Sequence, residues 1–177
     1  MEDAVEELLR GDATAFQRIV DATAPRFVRL SARMLGSVAD AEDVVQEAYV
    51  KAYRSLMAGQ FDRRSKFETW LFRIVVNTAI DAKRKRGPAK VDSDTLVELG
   101  WDGRDSLEAR LALKELSDWL DELPEDQRTA LLLKTVEGLS SAEIAEVMDC
   151  TEGAVEQRLV RARAALRQRR TSDESSR

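Results

Sequence analysis

Histidine does not occur in the 177 residues of this chain, and cysteine occurs once, as Cys150. Without histidine there is no imidazole for acid–base catalysis and no His-ligated zinc. A single thiol can neither close an internal disulfide nor build a thiolate metal site. Glycine (8) and proline (3) are scarce, so few breakers interrupt the chain. No run approaches the roughly 18 to 20 apolar residues that a membrane-spanning helix needs. The opening, Met1-Glu2-Asp3, is acidic and lacks the basic-then-apolar order of a signal peptide. These absences predict a soluble, cytoplasmic chain with no direct membrane insertion; most of the usual tools of catalysis are missing, although chemistry is not ruled out.

Charge is plentiful but uneven. The 28 basic and 33 acidic residues give a net −5, which by itself argues mildly against nucleic acid. Residues 61–90, however, carry nine basic and three acidic residues, and residues 151–177 carry seven and four. Between them, residues 91–126 carry three basic and twelve acidic. Two basic blocks split by an acidic one point to two separate anion-binding faces.

Ala, Leu, Glu and Arg dominate, which favours helix throughout, and no period-two apolar stretch is long enough for a strand. Gly11 stops a first helix over Asp3–Arg10. Asp12 caps a second over 13–23, and Pro25 opens a third that ends at Gly36. Asp40 caps a fourth over 41–57. Ser65 and Glu68 form a capping box for a fifth over 66–86, with Phe67, Trp70, Leu71, Ile74 and Val75 as its buried stripe. Leu113, Leu116, Leu120 and Leu123 line a helix that Pro124 ends, and Pro124 opens the next. Ser140 and Glu143 form a second capping box before a short helix, Ser141–Met148. After the turn Asp149-Cys150-Thr151, Thr151 caps a last helix to Arg170. The predicted fold is all-α, with two small helical domains, 1–87 and 107–170. An acidic flexible linker, 88–106, joins them, and a polar tail, 171–177, is disordered.

A short helix, a tight turn and a longer basic helix make a helix-turn-helix, whose second helix enters the DNA major groove. The inward positions Val155, Leu159, Ala162 and Leu166 leave Glu156, Gln157, Val160, Arg161 and Ala164 outward, flanked by Arg158 and Arg163. Arginine pairs with guanine, glutamine with adenine, and glutamate accepts from cytosine. A solvated basic helix that merely closes a bundle would look similar. In the helix over 66–86, Arg73, Asn77, Asp81 and Arg84 recur on the face expected opposite Trp70 and Ile74. The loop before it adds Phe61, Arg63, Arg64 and Lys66. Cations with an aromatic and an amide suit single-stranded or melted DNA, although Trp70 and Phe67 themselves read as core. Asp40, Glu42, Asp43 and Glu47 suit a protein-docking face, while Asp40, Glu42 and Asp43 could simply complement a helix dipole.

Five segments then stand in one order: DAEDVVQE (Asp40–Glu47), TWLFRIVVN (Thr69–Asn77) followed by Asp81 and Arg84, LPEDQR (Leu123–Arg128), GLSSAEIA (Gly138–Ala145) and RLVRARAAL (Arg158–Leu166). That order resembles the extracytoplasmic-function (ECF) sigma factors of bacterial RNA polymerase, over about Asp12 to Arg170. The resemblance implies a region 2 helical bundle and a region 4 helix-turn-helix, without regions 1.1 and 3 of larger sigma factors. It implies a protein that is no enzyme and has no cofactor, no metal and no small-molecule substrate. Such a protein binds core RNA polymerase at the β′ clamp and β subunits, recognises −10 and −35 promoter DNA, assists melting, and is held by an anti-sigma factor. By the same resemblance Asp40, Asp43, Gln46 and Glu47 contact core polymerase. Phe61, Arg63, Arg64, Lys66, Arg73, Asn77 and Arg84 take the −10 element with a base flipped out. Glu156, Gln157, Arg158, Val160 and Arg161 read the −35 duplex, and the linker runs through the polymerase channel.

Glu156-Gln157 departs from the Lys or Arg followed by Ser that the family often carries, and Ala154 from its common Thr. Glutamate repels phosphate, so an atypical −35 preference is expected. Three other readings compete: a sigma-like mimic that only sequesters an anti-sigma factor, a plain helix-turn-helix regulator, and a metal nuclease built on Glu42, Asp43 and Glu47. The retained Arg63, Arg64, Asn77, Arg84, Arg158 and Arg161 argue against the mimic.

Overall fold

The computed structural model describes residues 1–86, 115–116 and 118–174. The chain divides into two compact units, Met1–Pro88 and Ala89–Arg177. In the first, α1 (Glu2–Leu9), α2 (Thr14–Leu35), α3 (Val38–Met57) and α4 (Phe67–Arg86) follow in order. Helices α2, α3 and α4 pack on one another, and α1 lies on α2 through Val5 and Leu8. Phe27, Leu30, Leu56, Leu71 and Phe72 are fully buried between them. The Phe27 and Phe72 rings meet edge to face at 4.9 Å, a geometry that aromatic quadrupoles favour. The Arg26 guanidinium covers the Phe72 ring at 4.8 Å and also pairs with Glu68, tying α2 to α4.

Three helix boundaries differ from the sequence expectation. Pro25 does not open a helix; α2 runs unbroken through it. An internal proline costs about 3 kcal/mol. Burying Ile19 before it and Phe27, Leu30 and Met34 after it offsets that, at roughly 1.5–3 kcal/mol each. Pro25 and Asp21, whose carbonyl loses its helical donor, both face solvent. Helix α3 starts two residues before Asp40, capped by Ser37, whose Oγ accepts from the Asp40 N–H at 3.3 Å. Gly36, at φ +77°, makes the left-handed turn that brings α2 so directly into α3. The Ser65–Glu68 capping box does not form. Helix α4 begins at Phe67, whose N–H donates to the Glu2 carboxylate at 3.0 Å, while Glu68 is engaged by Arg26.

In the second unit, residues 118–121 are helical, followed by α5 (Glu125–Thr135), α6 (Ser141–Val147) and α7 (Glu152–Glu174). Helix α7 packs on both α5 and α6. Leu133, Ile144, Val147, Val155, Leu159 and Ala162 form the core. The Ser140–Glu143 capping box is present in both directions, and Thr151 Oγ1 accepts from the Ala154 N–H at 3.2 Å. Two expectations change. Leu116 is exposed, and α7 continues four residues past Arg170, into the tail read as disordered. Buried Arg128 pairs with Asp121, joining the 118–121 segment to α5. Burial pushes the Arg128 guanidinium pKa down, against the opposing pull of Asp121 and Glu125. The predicted linker 88–106, the helix start at 107–114 and residues 175–177 lie outside the described residues.

Candidate nucleic-acid interface

Helix α4 presents a different face from the one its stripe suggested. Phe67, Leu71, Phe72, Val75, Val76 and Ala79 are buried, whereas Trp70 and Ile74 are only half-buried. Phe72 and Val76 extend the apolar arc away from Trp70, so the helix rolls to bury them. Arg73, Asn77, Asp81 and Arg84 are exposed as expected, but Trp70 and Ile74 stand among them instead of opposite. Residues 70, 73, 74, 77, 81 and 84 follow the three- and four-residue steps of one helix side. This outer face therefore carries an indole, an amide, two guanidiniums and one carboxylate.

The loop before α4 is folded onto that indole. The half-buried Phe61 ring lies 5.1 Å from Trp70 and 5.6 Å from Phe67. Arg63 takes a left-handed backbone, φ +59°, and its Nη1 lies 3.6 Å from a Glu6 carboxylate oxygen on α1. The Arg64 N–H donates to Asp62 Oδ1 at 3.1 Å, and its side chain pairs with Asp62 at 3.2 Å. Arg63, Arg64 and Lys66 are exposed. The basic run at the end of α4 is divided: Lys83 turns back and donates to the Met34 carbonyl at 3.1 Å. There it complements the negative end of α2, while Arg84 and Lys85 face solvent.

On α3, Asp43, Gln46 and Glu47 are exposed and Asp40 is half-buried. Glu47 pairs with Lys51 at 2.7 Å. The Lys51 hydrogen bond holds its carboxyl below the usual range. Val50, Tyr53 and Met57 are exposed on the same helix, an apolar extension that the acidic motif does not announce.

In the helix-turn-helix, Glu156, Gln157, Val160, Arg161 and Ala164 are all exposed on α7. Val160 is 59% exposed, the most open large apolar side chain described. Two of the predicted readers are already engaged. Glu156 accepts a hydrogen bond from the Ser141 hydroxyl on α6, across the motif. Arg158 turns inward, its Nε 2.9 Å from Asp126 Oδ2 on α5 and its Nη1 2.9 Å from Cys150 Sγ in the turn. The sequence alone gives Asp126 and Ser141 no contact with α7, because their partners lie 32 and 15 residues away. Gln157, Val160 and Arg161 remain as the outward group, an amide, a branched apolar surface and a guanidinium. That set can address adenine, a thymine methyl, and guanine or phosphate.

A half-aromatic cationic helix face in one unit and a basic helix-turn-helix in the other define a two-domain helical nucleic-acid-binding protein. Residues 19–88 match the family model described as Sigma-70 region 2, and residues 113–166 that described as Sigma-70, region 4. The chain belongs to the ECF sigma factors of RNA polymerase. It is 38% identical to the RNA polymerase sigma-H factor of Pseudomonas aeruginosa, over 92% of this chain and 89% of that one. It is 36% identical to the ECF sigma factor SigW of Bacillus subtilis, over 92% of each chain. It is 37% identical to the ECF sigma-E factor of Escherichia coli, over 92% of this chain and 90% of that one. Among solved structures, CnrH in complex with the cytosolic domain of CnrY superposes with a TM-score of 0.71 at 29% identity, covering 96% of each chain. The sigma factor RpoE of Bartonella quintana, in complex with the anti-sigma factor NepR, gives 0.64 at 27% identity, over 86% of this chain and 94% of that one. Helix α1 precedes the region 2 match. Among the described residues, no helix is long and apolar enough to cross a membrane.

Proposed function

We propose how this sigma factor, which confers promoter recognition on core RNA polymerase, divides that work among its residues, within domains 1–87 and 107–170 joined by 88–106. The exposed α3 face, Asp40, Asp43, Gln46 and Glu47 with Val50 beside them, docks on core polymerase. To dock through Glu47, the β′ clamp displaces Lys51. The loop 61–66 and the α4 face hold the unpaired −10 strand. Arg63, Arg64, Lys66, Arg73 and Arg84 neutralise phosphates. Trp70, backed by Phe61, offers a stacking surface, and Asn77 meets a base edge. Gln157, Val160 and Arg161 read the −35 duplex, while Glu156 and Arg158 hold the reading helix in place. An anti-sigma factor covers one of these faces when the protein is inactive. The protein acts in the cytoplasm and catalyses no reaction of its own.

The observation that carries this reading is Trp70 standing among Arg73, Asn77 and Arg84, where a core tryptophan would be turned away. Run-off transcription by core polymerase on sheared DNA from the source organism tests it. Discrete new transcripts should appear only with the protein present, and Arg73→Ala or Asn77→Ala should weaken them. Core polymerase that binds the protein yet starts nowhere would favour the sequestering mimic.

A further inference from the structure

Helix α1 lies ahead of the segment that matches region 2, yet two of its carboxylates reach the loop that precedes α4. Glu2 accepts the Phe67 N–H at 3.0 Å. This remote cap stands in for the local Ser65–Glu68 box, and it fixes where the loop ends and α4 begins. One turn further along α1, Glu6 lies 3.6 Å from Arg63 Nη1, and Arg63 is the loop residue with a left-handed backbone. Val5 and Leu8, on the other side of α1, are 2% and 3% exposed, so the helix is anchored while its acidic side faces the loop. Asp62 adds a local restraint through the Arg64 N–H.

We propose that Glu2 and Glu6 are positioning residues for promoter-strand binding, and that α1 is a brace that shapes the loop 61–66 before DNA arrives. A non-glycine residue at positive φ is unfavourable and persists only where its surroundings fix it. Glu6 supplies one such restraint and the Glu2 cap another. A pre-shaped loop need not lose conformational freedom when the strand binds, which improves affinity without adding a contact to DNA. Glu2 also presents its carboxylate at the start of α4, where the helix dipole is positive.

The proposal rests on the −10 reading above, and the test separates the two. Full-length protein is titrated with a fluorescent single-stranded oligonucleotide carrying the non-template −10 sequence of a promoter found by run-off, and with a scrambled strand. Glu2→Leu should weaken binding of the −10 strand roughly fivefold, the scale of a lost helix cap. It should leave −35 duplex binding and core polymerase binding unchanged. Glu2→Gln keeps a carbonyl acceptor and should restore most of the loss, which a purely electrostatic role would not produce. Strand affinity in Glu2→Leu equal to that of the unaltered chain, or Glu2→Gln as weak as Glu2→Leu, would overturn the brace. Unaltered protein that does not distinguish the −10 strand from the scrambled one would overturn the −10 reading itself.

Discussion

Tyr49 shows how one buried hydroxyl ties the first unit to alkaline pH. Its oxygen lies 2.6 Å from Thr23 Oγ1, which itself donates to the Ile19 carbonyl at 2.7 Å. Burial pushes the phenol up to about 12, against the opposing effect of the Thr23 hydrogen bond. The folded state therefore keeps this proton after the unfolded chain, with a phenol near 10, has lost it. The resulting stability is intact below pH 10 and is lost as pH rises from there through 12. Denaturant melts from pH 8 to 12 should show a shallower alkaline fall for Tyr49→Phe, with a loss of about 1 kcal/mol at neutral pH. In the second unit, Arg128→Ala leaves Asp121 without its buried partner. It should cost about 3 kcal/mol, read as a lowered melting temperature. Glu156 and Ser141 act as one strut, so Glu156→Ala, Ser141→Ala and the double change should alter −35 promoter ranking alike. Additive effects in such a cycle would show that Glu156 meets DNA on its own.

The elements divide by how far their decisive partners lie along the chain. Helix-turn-helix boundaries were legible because their signals are local: Ser140 with Glu143 and Thr151 with Ala154 are three residues apart. The outward set on α7 followed directly from its inward set. The cap of α4 was not legible, because it is Glu2, 65 residues upstream. Nor was the continuity of α2, where packing on both sides of Pro25 overrides a local breaker. The stripe Phe67, Trp70, Leu71, Ile74 and Val75 does not include buried Phe72 and Val76, which roll α4 and bring Trp70 out among the candidate contacts. The inward turn of Arg158 required a structure, since Asp126 belongs to another helix. Trp70→Ala should reduce single-strand affinity by about 1–3 kcal/mol, and Trp70→Phe by less. Quenching of indole fluorescence by the bound strand is a direct check.

For the whole molecule, net charge and binding charge have opposite signs. A chain at −5 with an isoelectric point near 5.0 has no general attraction to a polyanion, so its DNA affinity must come from the two basic faces. Each phosphate contact releases counterions, so log affinity falls with log salt by about 0.9 per contact on duplex and 0.7 on single strand. With Arg63, Arg64, Lys66, Arg73 and Arg84 all engaged, the single-strand slope should approach about −3.5. Arg161→Ala should shallow the duplex slope by roughly 0.9 if that guanidinium meets phosphate. It should instead relax the preference at one base pair if it meets guanine. Salt titrations with separate −10 and −35 probes distinguish these outcomes.

Helix α7 keeps Val155, Leu159 and Ala162 on its buried side and Gln157, Val160 and Arg161 on the other. The second group can therefore mutate at almost no cost in folding. A duplicated copy of this gene can drift to a new set of promoters through single substitutions, each yielding a folded protein. Glu156 is the exception, since a change there breaks the link to Ser141. Lineages that alter position 156 should carry a matching change at 141, a covariation traceable through descent.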